Sequence, residues 1–218
     1  MASARERRKQ ARADLVLDAA GELFAEQGYD ETKIEQIAAV ADVAPATVYN
    51  YFSTKPNILM ALAVRHVRAS WRERRALVRN PPAEPVAAIR AFESLLADQA
   101  LRTLNRSCWR VILSAPYREP GSPVDRMNQR FLSLIHRHYV QMLSAFQRCG
   151  SIKREIDVHQ LASLVTAIGT HHFGRLVAND AMTIDELKAS IEAHLDLVFM
   201  GVISDRPSHA EGSPACLS

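Results

Sequence analysis

Residues 32–52, TKIEQIAAVADVAPATVYNYF, constrain the fold of this chain more than any other stretch. Thr32 precedes Glu35 by three residues, which is the spacing of a capping box that opens a helix. Small and branched apolar residues then recur at the i, i+3, i+4, i+7 spacing of one helical face. They are Ile34, Ile37, Ala38 and Ala41. The pattern predicts a short helix whose inner face another helix can approach closely.

A second short helix is predicted directly after this one. Asp42 and Val43 form a brief break, with Val43 placed to fill the corner between the helices. Pro45 suits a first helical turn, because the N–H that proline lacks would have no partner there. Val48 and Phe52, four residues apart, give the second helix its inner face. Two short helices joined by a tight turn predict a helix-turn-helix unit.

The outer face of the second helix carries no charge from Ala44 to Ser53. Small residues at its start allow the backbone to approach DNA closely. Thr47 can contact a thymine methyl group or a phosphate, and Asn50 can pair with the edge of an adenine. The hydroxyl groups of Tyr49 and Tyr51 can reach phosphates. The alternative is an ordinary helical hairpin in which the tyrosines are packing residues.

The segment from about Asp14 to Leu62 resembles the DNA-binding region of TetR/AcrR-family transcriptional regulators. The resemblance rests on the first-helix pattern Ile/Leu-x-x-Ala-Ala-x-x-Leu-Phe-Ala-x-x-Gly-Tyr at Val16 to Tyr29, on the hairpin at 32–52, and on Phe-x-x-Lys at Phe52 to Lys55. It implies an all-α fold, with an N-terminal three-helix DNA-binding domain and a C-terminal antiparallel helical bundle.

Two positions depart from the family pattern. Ala44 stands where the family usually has a capping serine, and Pro56 stands where an acidic residue is common. Pro56 still fits a first helical turn, with Thr54 as its N-cap. The resemblance implies phosphate contacts at the tyrosines and the lysine of the motif, and Asn50 is the best candidate for reading a base. The residues predicted to contact DNA are Thr32, Ala44, Pro45, Ala46, Thr47, Tyr49, Asn50, Tyr51 and Lys55.

Basic residues are concentrated at the N-terminus, although the net charge of the whole chain is only +3. Residues 1–12 carry five basic side chains and one acidic side chain, whereas residues 80–218 carry 14 of each. A basic arm of this kind can follow phosphates or a minor groove. The same composition is typical of a solubilising tail. We expect residues 1–11 to be a disordered arm, and both roles remain open for it.

About nine helices are predicted along the chain. We expect a DNA-binding domain at 12–54, a ligand-binding and dimerisation domain at 55–203, and a disordered tail at 204–218. Pro116 is expected to end the sixth helix, and Thr183 with Glu186 forms a capping box that opens the last one. Outside the hairpin, the helices are predicted near 12–27, 55–78, 86–102, 104–115, 124–148, 157–178 and 183–202.

Several classes of protein are disfavoured by what the sequence lacks. No apolar run approaches 18 residues and the N-terminus has no apolar signal core, so we expect a cytoplasmic protein with no membrane partner. The three cysteines show neither paired nor metal-binding spacing. We find no phosphate-binding loop, no metal motif and no spacing of nucleophile and base. The sequence therefore predicts no cofactor and no enzymatic activity.

The resemblance also implies that the bundle binds a small molecule and that its last two helices form a homodimer. Wide apolar bands on these helices favour a dimer independently, and two half-sites would give enough surface for specific DNA binding. The alternative is that the bands are absorbed by the core of one chain. They comprise Leu161, Leu164, Val165, Ile168 and Phe173, followed by Leu187, Ile191, Leu195, Val198, Phe199 and Val202.

Aromatic, methionine and histidine side chains in the bundle are candidates to line a pocket for a small apolar or aromatic ligand. Core packing is the alternative for each of them. A polar site could join His138 to His171 or His172 across helices, but histidines four residues apart on one face, the spacing of a metal site, are absent. The candidates are Trp71, Phe92, Cys108, Trp109, Ile112, Met127, Phe131, His138, Met142, His171, His172 and Phe173.

Together these features predict a ligand-responsive transcriptional regulator. The favoured form is a repressor that binds a palindromic operator as a dimer and is released by a small molecule in the bundle. The alternative is an architectural or division-linked DNA-binding protein of the same fold that has no small ligand. The sequence does not define the operator or the ligand, and it leaves activation open beside repression.

Overall fold

The computed structural model describes residues 3–102 and 104–203. Within these residues the chain forms nine α-helices, so the prediction of an all-α fold with about nine helices is confirmed. None of these helices is both long enough and apolar enough to cross a membrane. The helices are α1 (Ala4–Glu26), α2 (Ile34–Val40), α3 (Pro45–Phe52), α4 (Lys55–Arg79), α5 (Pro85–Ala100), α6 (Arg106–Arg118), α7 (Pro123–Arg148), α8 (Val158–Ala178) and α9 (Ile184–Phe199).

The first helix begins well before the predicted start at residue 12. Ser3 is its N-cap: the Ser3 hydroxyl accepts from the amide of Glu6, and the Glu6 carboxylate accepts from the amide of Ser3. The hydrogen bond from the backbone amide of Ser3, followed by the one from the Ser3 side chain, lowers the pKa of the Glu6 carboxyl. The prediction of a disordered arm over 1–11 is therefore wrong from residue 3 onwards. A capping box and a run of good helix formers without glycine or proline extend the helix.

Two hydrogen bonds from backbone amides of the turn between α2 and α3 satisfy carbonyls in the last turn of α2. The amide of Val43 donates to the carbonyl of Ala38 at 3.0 Å, and the amide of Asp42 donates to that of Ala39 at 3.3 Å. Asp42 has a φ of 51°, the left-handed conformation that this helix ending requires. Aspartate tolerates that conformation better than most residues do. The predicted tight turn is thus formed, with Asp42 in the place that glycine usually takes.

The prediction that Pro116 ends α6 is wrong. Pro116 lies inside the helix, which continues to Arg118 and closes where the amide of Glu119 donates to the carbonyl of Ala115. Proline removes only one hydrogen bond of the helix, and this position is within the last turn of α6, where the loss costs least. At the other end, the side chain of Asn105 caps the helix by accepting from the amide of Cys108 at 2.9 Å.

The described chain divides into two compact units that fall within Met1–Ala69 with Leu101–Asn128, and within Ser70–Ala100 with Gln129–Ser218. We call them unit 1 and unit 2. Helices α4 and α7 contribute residues to both. The predicted domain boundary at residue 55 does not coincide with this division and stays a prediction. The predicted tail at 204–218 lies outside the described residues.

Unit 1 has its core where α1, α2 and α3 pack together, with α6 also against α1. The apolar positions of the predicted helix-turn-helix supply this core as expected. The side chains of Asn105, the N-cap of α6, and of Ser107 in its first turn both donate to the carbonyl of Phe24, near the end of α1. The fully or almost fully buried apolar side chains include Val16, Ala20, Phe24, Ile37, Ala38, Val48, Ile58 and Leu62.

In unit 2, α9 packs against both α5 and α8. The Thr183–Glu186 capping box that was predicted to open α9 is confirmed. Ion pairs join α9 to α5, between Lys188 and Asp98 and between Arg90 and Asp196. Much of the predicted α9 band is absorbed by this core, whose buried members include Leu187, Ile191, Leu195 and Phe199.

Candidate functional site

The outer face of α3 presents most of the residues predicted to contact DNA. Tyr49 is 46% exposed and Asn50 is also exposed, whereas Val48, which directly precedes them, is completely buried. Thr47 and Tyr51 are half-buried, and the ring of Tyr51 lies 6.3 Å from that of Phe52. The helix is therefore anchored by its apolar face and offers hydroxyl and amide groups to solvent.

The start of α3 is also exposed. Ala44 is its N-cap, and the side chain makes no capping hydrogen bond, as expected from the missing serine. The following Pro45 and Ala46 are exposed as well. Small side chains here leave the positive end of the helix dipole open to an anion such as a phosphate.

Thr32 is placed differently from its prediction. Its side chain is only 1% exposed, and its hydroxyl donates to the carbonyl of Gly28 at 2.7 Å. The N-cap of α2 is Lys33, whose amide donates to the side chain of Gln36 at 2.8 Å. The prediction of Thr32 as a capping residue is therefore wrong, because the helix starts one residue later. Its hydroxyl ties the loop before α2 together and is turned away from the surface.

Lys55 is also engaged within the fold. Its ammonium group donates to the carbonyls of Tyr29, Asp30 and Thr32 at 2.8, 3.0 and 3.0 Å. It also lies 4.5 Å from the centre of the Tyr29 ring. An ammonium has three N–H donors, so these carbonyls account for all of them. The geometry favours a role for Lys55 in closing the loop between α1 and α2, and its direct phosphate contact stays a prediction.

An exposed cation that the sequence analysis omitted is Lys33, at the start of α2. Its position in the sequence, directly before the first turn of α2, could have indicated an exposed cation close to α3. Further exposed cations lie on the first turns of α1, including Arg8, Lys9 and Arg12.

The candidate ligand residues fall into both units. Cys108, Trp109, Ile112 and Met127 belong to unit 1 and are buried there. The ring of Trp109 meets that of His66 edge to face at 5.6 Å. Burial raises the pKa of the Cys108 thiol to about 12, so this thiol is an inert packing group. The remaining eight candidates belong to unit 2.

In unit 2, an aromatic cluster surrounds His138. Its ring lies 5.7 Å from that of Trp71 and 5.4 Å from that of Phe92, and Phe92 in turn meets Tyr139 at 5.3 Å. His138 is only 6% exposed and its Nδ1 atom has no hydrogen-bond partner, whereas Trp71 is 37% exposed. Burial, followed by the charges of Arg74 and Arg137, lowers the pKa of His138 to about 4.

The expected junction of His138 with His171 or His172 is not formed. His172 is buried, and its Nε2 atom lies 3.1 Å from Nδ1 of His194. That Nδ1 also lies 2.8 Å from the carbonyl of Ser190, which can only accept. His194 therefore donates and His172 accepts, so a neutral His172 carries its proton on the unpartnered Nδ1. His171 is exposed, and its ring lies beside that of His172.

The other three candidates of unit 2 have core roles or line the core. Met142 is completely buried within the apolar cluster, and Phe173 packs against that cluster while remaining half-buried. Phe131 is 8% exposed. Among the described residues no group of three histidine, cysteine, aspartate or glutamate side chains is arranged to hold a metal ion.

Sequence reasoning missed a buried polar pair, Glu93 and Tyr139. The Tyr139 hydroxyl donates to the Glu93 carboxyl at 2.6 Å, and burial raises the pKa of Glu93 to about 7. Gly169 of α8 passes so close that a Cβ atom there would lie 2.6 Å from the carboxyl oxygen. No spacing in the sequence distinguishes these residues from surface or core positions of an ordinary helix.

A second missed residue is Arg74, which is only 4% exposed although it lies in the basic half of α4. Its Nε–H donates to the side-chain oxygen of Gln99 at 2.7 Å. The amide nitrogen of Gln99 donates to Glu73 at 2.8 Å. The available signal was the spacing of Trp71, Arg74 and Val78, three and four residues apart on one helical face.

Comparison with known proteins supports the features of unit 1. Residues 16–62 match the family model described as bacterial regulatory proteins, tetR family. The HTH-type transcriptional repressor NicS of Pseudomonas putida is 29% identical over 89 residues, which are 41% of this chain and 42% of NicS. The chain spans about half or less of the length of the curated relatives that it matches.

Solved structures with a similar fold cover most of the chain. The fatty acid degradation regulator FadR of Bacillus halodurans has a TM-score of 0.66 and 18% identity, over 87% of this chain and 95% of that one. A gamma-butyrolactone receptor, an ArpA-like protein, has a TM-score of 0.57 and 16% identity, over 90% and 91% of the two chains. The helix-turn-helix geometry and the family match together identify residues 16–62 as a DNA-binding region similar to that of bacterial regulatory proteins of the tetR family, and the solved structures show that the fold is shared.

Proposed function

We propose that this chain is a ligand-responsive transcriptional regulator, and that it acts as a repressor. It binds a palindromic operator as a homodimer and is released when a small molecule occupies the bundle. The observation that carries the proposal is the exposed, uncharged face of α3, held in place by the buried Val48. A helix with this face, raised on a compact three-helix core, fits the major groove of DNA.

The proposed contacts divide by chemistry. Tyr49, Thr47 and Tyr51 bind phosphates through their hydroxyl groups, and the exposed start of α3 at 44–46 approaches a further phosphate. Asn50 reads a base edge in the major groove. Lys33 adds a phosphate contact from the start of α2. Lys55 acts indirectly, because its donors are used to hold the loop between α1 and α2.

The homodimer is proposed to form through α8 and α9. Although much of the predicted α9 band lies in the core, three large apolar residues on or just after these helices are exposed: Leu164 at 47%, Leu197 at 67% and Met200 at 80%. A second copy that covers them would remove apolar surface from water. The two α3 helices of one dimer then bind the two half-sites of a palindrome.

The small-molecule response is proposed from the interior of unit 2. Buried polar groups that lack partners, such as Nδ1 of His138, are costly in an apolar core and are typical of ligand sites. One solved structure with a similar fold is that of a gamma-butyrolactone receptor. A ligand that binds the released arrangement more tightly than the DNA-bound one shifts the equilibrium toward release. These are the functions of a regulator, and no enzymatic role is proposed.

Selection of bound DNA from a random pool tests this proposal, with purified full-length protein and sequencing of the enriched fragments. We expect a palindrome with half-sites about one helical turn apart. Enrichment without symmetry or consensus would contradict the operator proposal and favour an architectural DNA-binding role. Occurrences of the palindrome upstream of genes would then identify the regulated promoters.

A further inference from the structure

Three histidine side chains form a contiguous cluster where α8 packs on α9. The ring of His172 meets that of His171 edge to face at 5.2 Å and lies 4.9 Å from that of His194. His172 is only 2% exposed, whereas His171 and His194 are exposed. Within the described residues, no carboxylate is hydrogen-bonded to any of the three rings. The cluster therefore holds three imidazoles without a counter-charge in direct contact.

The contact between His172 and His194 fits only the uncharged form of His172. Nδ1 of His194 lies 2.8 Å from the carbonyl oxygen of Ser190, which can only accept, so this nitrogen carries a hydrogen. The same N–H lies 3.1 Å from Nε2 of His172, which must therefore accept. A proton added to that Nε2 would set two N–H donors against each other. Acid thus disrupts a contact that joins α8 to α9.

The charged groups on the neighbouring helices offer this cluster little compensation. On α8, Arg175 adds a positive charge four residues after His171. On α9, Glu192 is exposed and precedes His194 by two residues, which places it on another face of the helix. Three further carboxyl groups of α5 and α9 already have partners of their own: Asp196 with Arg90, Asp98 with Lys188 and Glu93 with Tyr139.

The electrostatics of His172 agree with this geometry. Burial, followed by the charges of His194, His171 and Arg175, lowers the pKa of His172 from its ordinary 6.5. Folding therefore favours the neutral imidazole. The stabilisation that this provides is complete above pH 6.5 and is lost as the pH falls below that value, because the unfolded chain then binds more protons.

The two exposed histidines share helix faces with the apolar residues of the proposed dimer surface. His171 follows Leu164 by seven residues on α8, and His194 precedes Leu197 by three on α9. Residues at these spacings lie on one face of a helix. Leu164 is 47% exposed and Leu197 is 67% exposed. A second copy that covers these leucines therefore also covers both histidines.

A two-fold dimer brings two such clusters to one interface. Both copies use the same surface patch in a dimer of this symmetry, so six imidazoles lie in or beside the covered surface. Histidine is the side chain whose charge ordinarily changes between pH 5 and 8. Protonation then adds like charges to a surface from which water has been removed, where an unpaired charge is costly.

We infer that the cluster of His171, His172 and His194 makes dimerisation pH-dependent, so that neutral imidazoles allow the dimer and their protonation separates it. The inference rests on the proposed function, in which a second copy covers α8 and α9, and it specifies a regulation of that surface. Because a palindrome needs two α3 helices, acid lowers the affinity for the operator without any small molecule.

Sedimentation velocity of the full-length protein over a dilution series tests the switch, in steps from about pH 8 to pH 5.5 at constant ionic strength. We expect the dissociation constant of the dimer to rise about tenfold or more across this range. Circular dichroism at the same pH values should show that the helices stay formed. A dissociation constant that does not rise, down to the pH at which the helices unfold, would overturn the inference.

Variants connect the pH dependence to the named residues. His171→Gln combined with His194→Gln removes the exposed imidazoles, and the glutamine amide at 194 can still donate to His172. We expect this double variant to dimerise at pH 8 and to lose most of the pH dependence. The control is His136→Gln on α7, which should behave like the wild type. A wild-type pH dependence in the double variant would overturn the assignment.

If the double variant does not dimerise at pH 8, the two single variants are measured in the same way. Each should then show a smaller pH dependence than the wild type, and an unchanged dependence in both would overturn the assignment.

Binding to the selected operator separates this inference from the proposed function. A dimer that binds a palindrome and whose stability does not change with pH would retain the regulator and contradict the switch. A pH-dependent dimer that selects no palindrome would retain the switch and contradict the proposed operator. A single chain at pH 8 would contradict the proposed dimer, and the switch with it.

Discussion

The ammonium nitrogen of Lys55 lies 2.8 Å from the carbonyl oxygen of Tyr29 and 4.5 Å from the centre of the Tyr29 ring. The same nitrogen donates to the carbonyls of Asp30 and Thr32. One side chain at the start of α4 therefore fixes the loop that joins α1 to α2. Because α2 packs on α3, Lys55 also supports the position of α3, the helix proposed to read DNA.

Replacing Lys55 by methionine should reduce the free energy of unfolding by about 1–3 kcal/mol, since three carbonyls lose a charged donor. Urea unfolding of the wild-type and variant proteins measures this. Lys55→Arg is the matched control: it retains the charge but cannot place its donors at one point. We expect the arginine variant to recover only part of the lost stability.

The salt dependence of DNA binding distinguishes this structural role from a phosphate contact. A lost phosphate contact makes the slope of log affinity against log salt shallower by about 0.9. For Lys55→Met, measured where both proteins are folded, we expect the wild-type slope. A slope shallower by that amount would place Lys55 on the DNA.

Tyr49→Phe should weaken binding to all DNA sequences by a similar factor, because a hydroxyl on a phosphate carries no sequence information. The ring is 46% exposed, so removing the hydroxyl disturbs no packing in the core of unit 1. Fluorescence anisotropy with the selected operator and with an unrelated duplex measures both affinities. A loss confined to the operator would mean that Tyr49 contacts a base.

Leu197→Glu should split the proposed dimer. Leu197 is 67% exposed, so the charge perturbs a surface and leaves the core intact, whereas a charge at the completely buried Leu195 would unfold the bundle. Analytical ultracentrifugation at micromolar concentration should report the mass of one chain. The control is Ala87→Glu, at an exposed position of α5. If the variant still has the mass of two chains, Leu197 does not lie in the dimer interface.

Glu93→Gln should stabilise the protein relative to the wild type at high pH. Burial raises the pKa of Glu93 from its ordinary 4.5 to about 7, so folding favours the protonated form. Its contribution to stability is full below pH 4.5 and is lost as the pH rises through 7. Glutamine stays neutral and can still accept from Tyr139.

The advantage of Glu93→Gln should therefore grow between pH 5 and pH 8, by on the order of 2 kcal/mol. Urea unfolding at several pH values measures it, with Glu192→Gln at an exposed site as a control for the loss of one negative charge. An advantage that does not change with pH would mean that Glu93 is ionised throughout.

The helix-turn-helix was predictable because its signals are local. The spacing of Ile37, Ala38, Val48 and the position of Pro45 depend only on helix periodicity and on the chemistry of a first turn. The start of α2 was misplaced by one residue, because Thr32 and Glu35 match the capping pattern in the sequence, whereas Lys33, the actual N-cap, is not a typical capping residue. The actual partner of the Thr32 hydroxyl, the carbonyl of Gly28, becomes visible only when the loop is folded.

The interior of unit 2 was predictable in part. Aromatic and histidine residues indicated a candidate pocket, and His138 does lie among Trp71 and Phe92. Arg74 was hidden in a run of basic residues, since burial of one arginine depends on which face of α4 meets other helices. Pairing of His172 with His194 likewise depends on how α8 packs on α9. Such contacts between distant segments leave no periodic signal in one sequence.

The most direct test of the account is base preference in Asn50→Ala. Affinities of the wild-type and variant proteins would be measured by anisotropy on the selected operator and on a set of single base-pair substitutions. We expect the variant to lose preference at one base-pair position in each half-site, by about 1–3 kcal/mol, and to keep the others. A variant whose preferences match those of the wild type at every position would contradict the reading of DNA by α3.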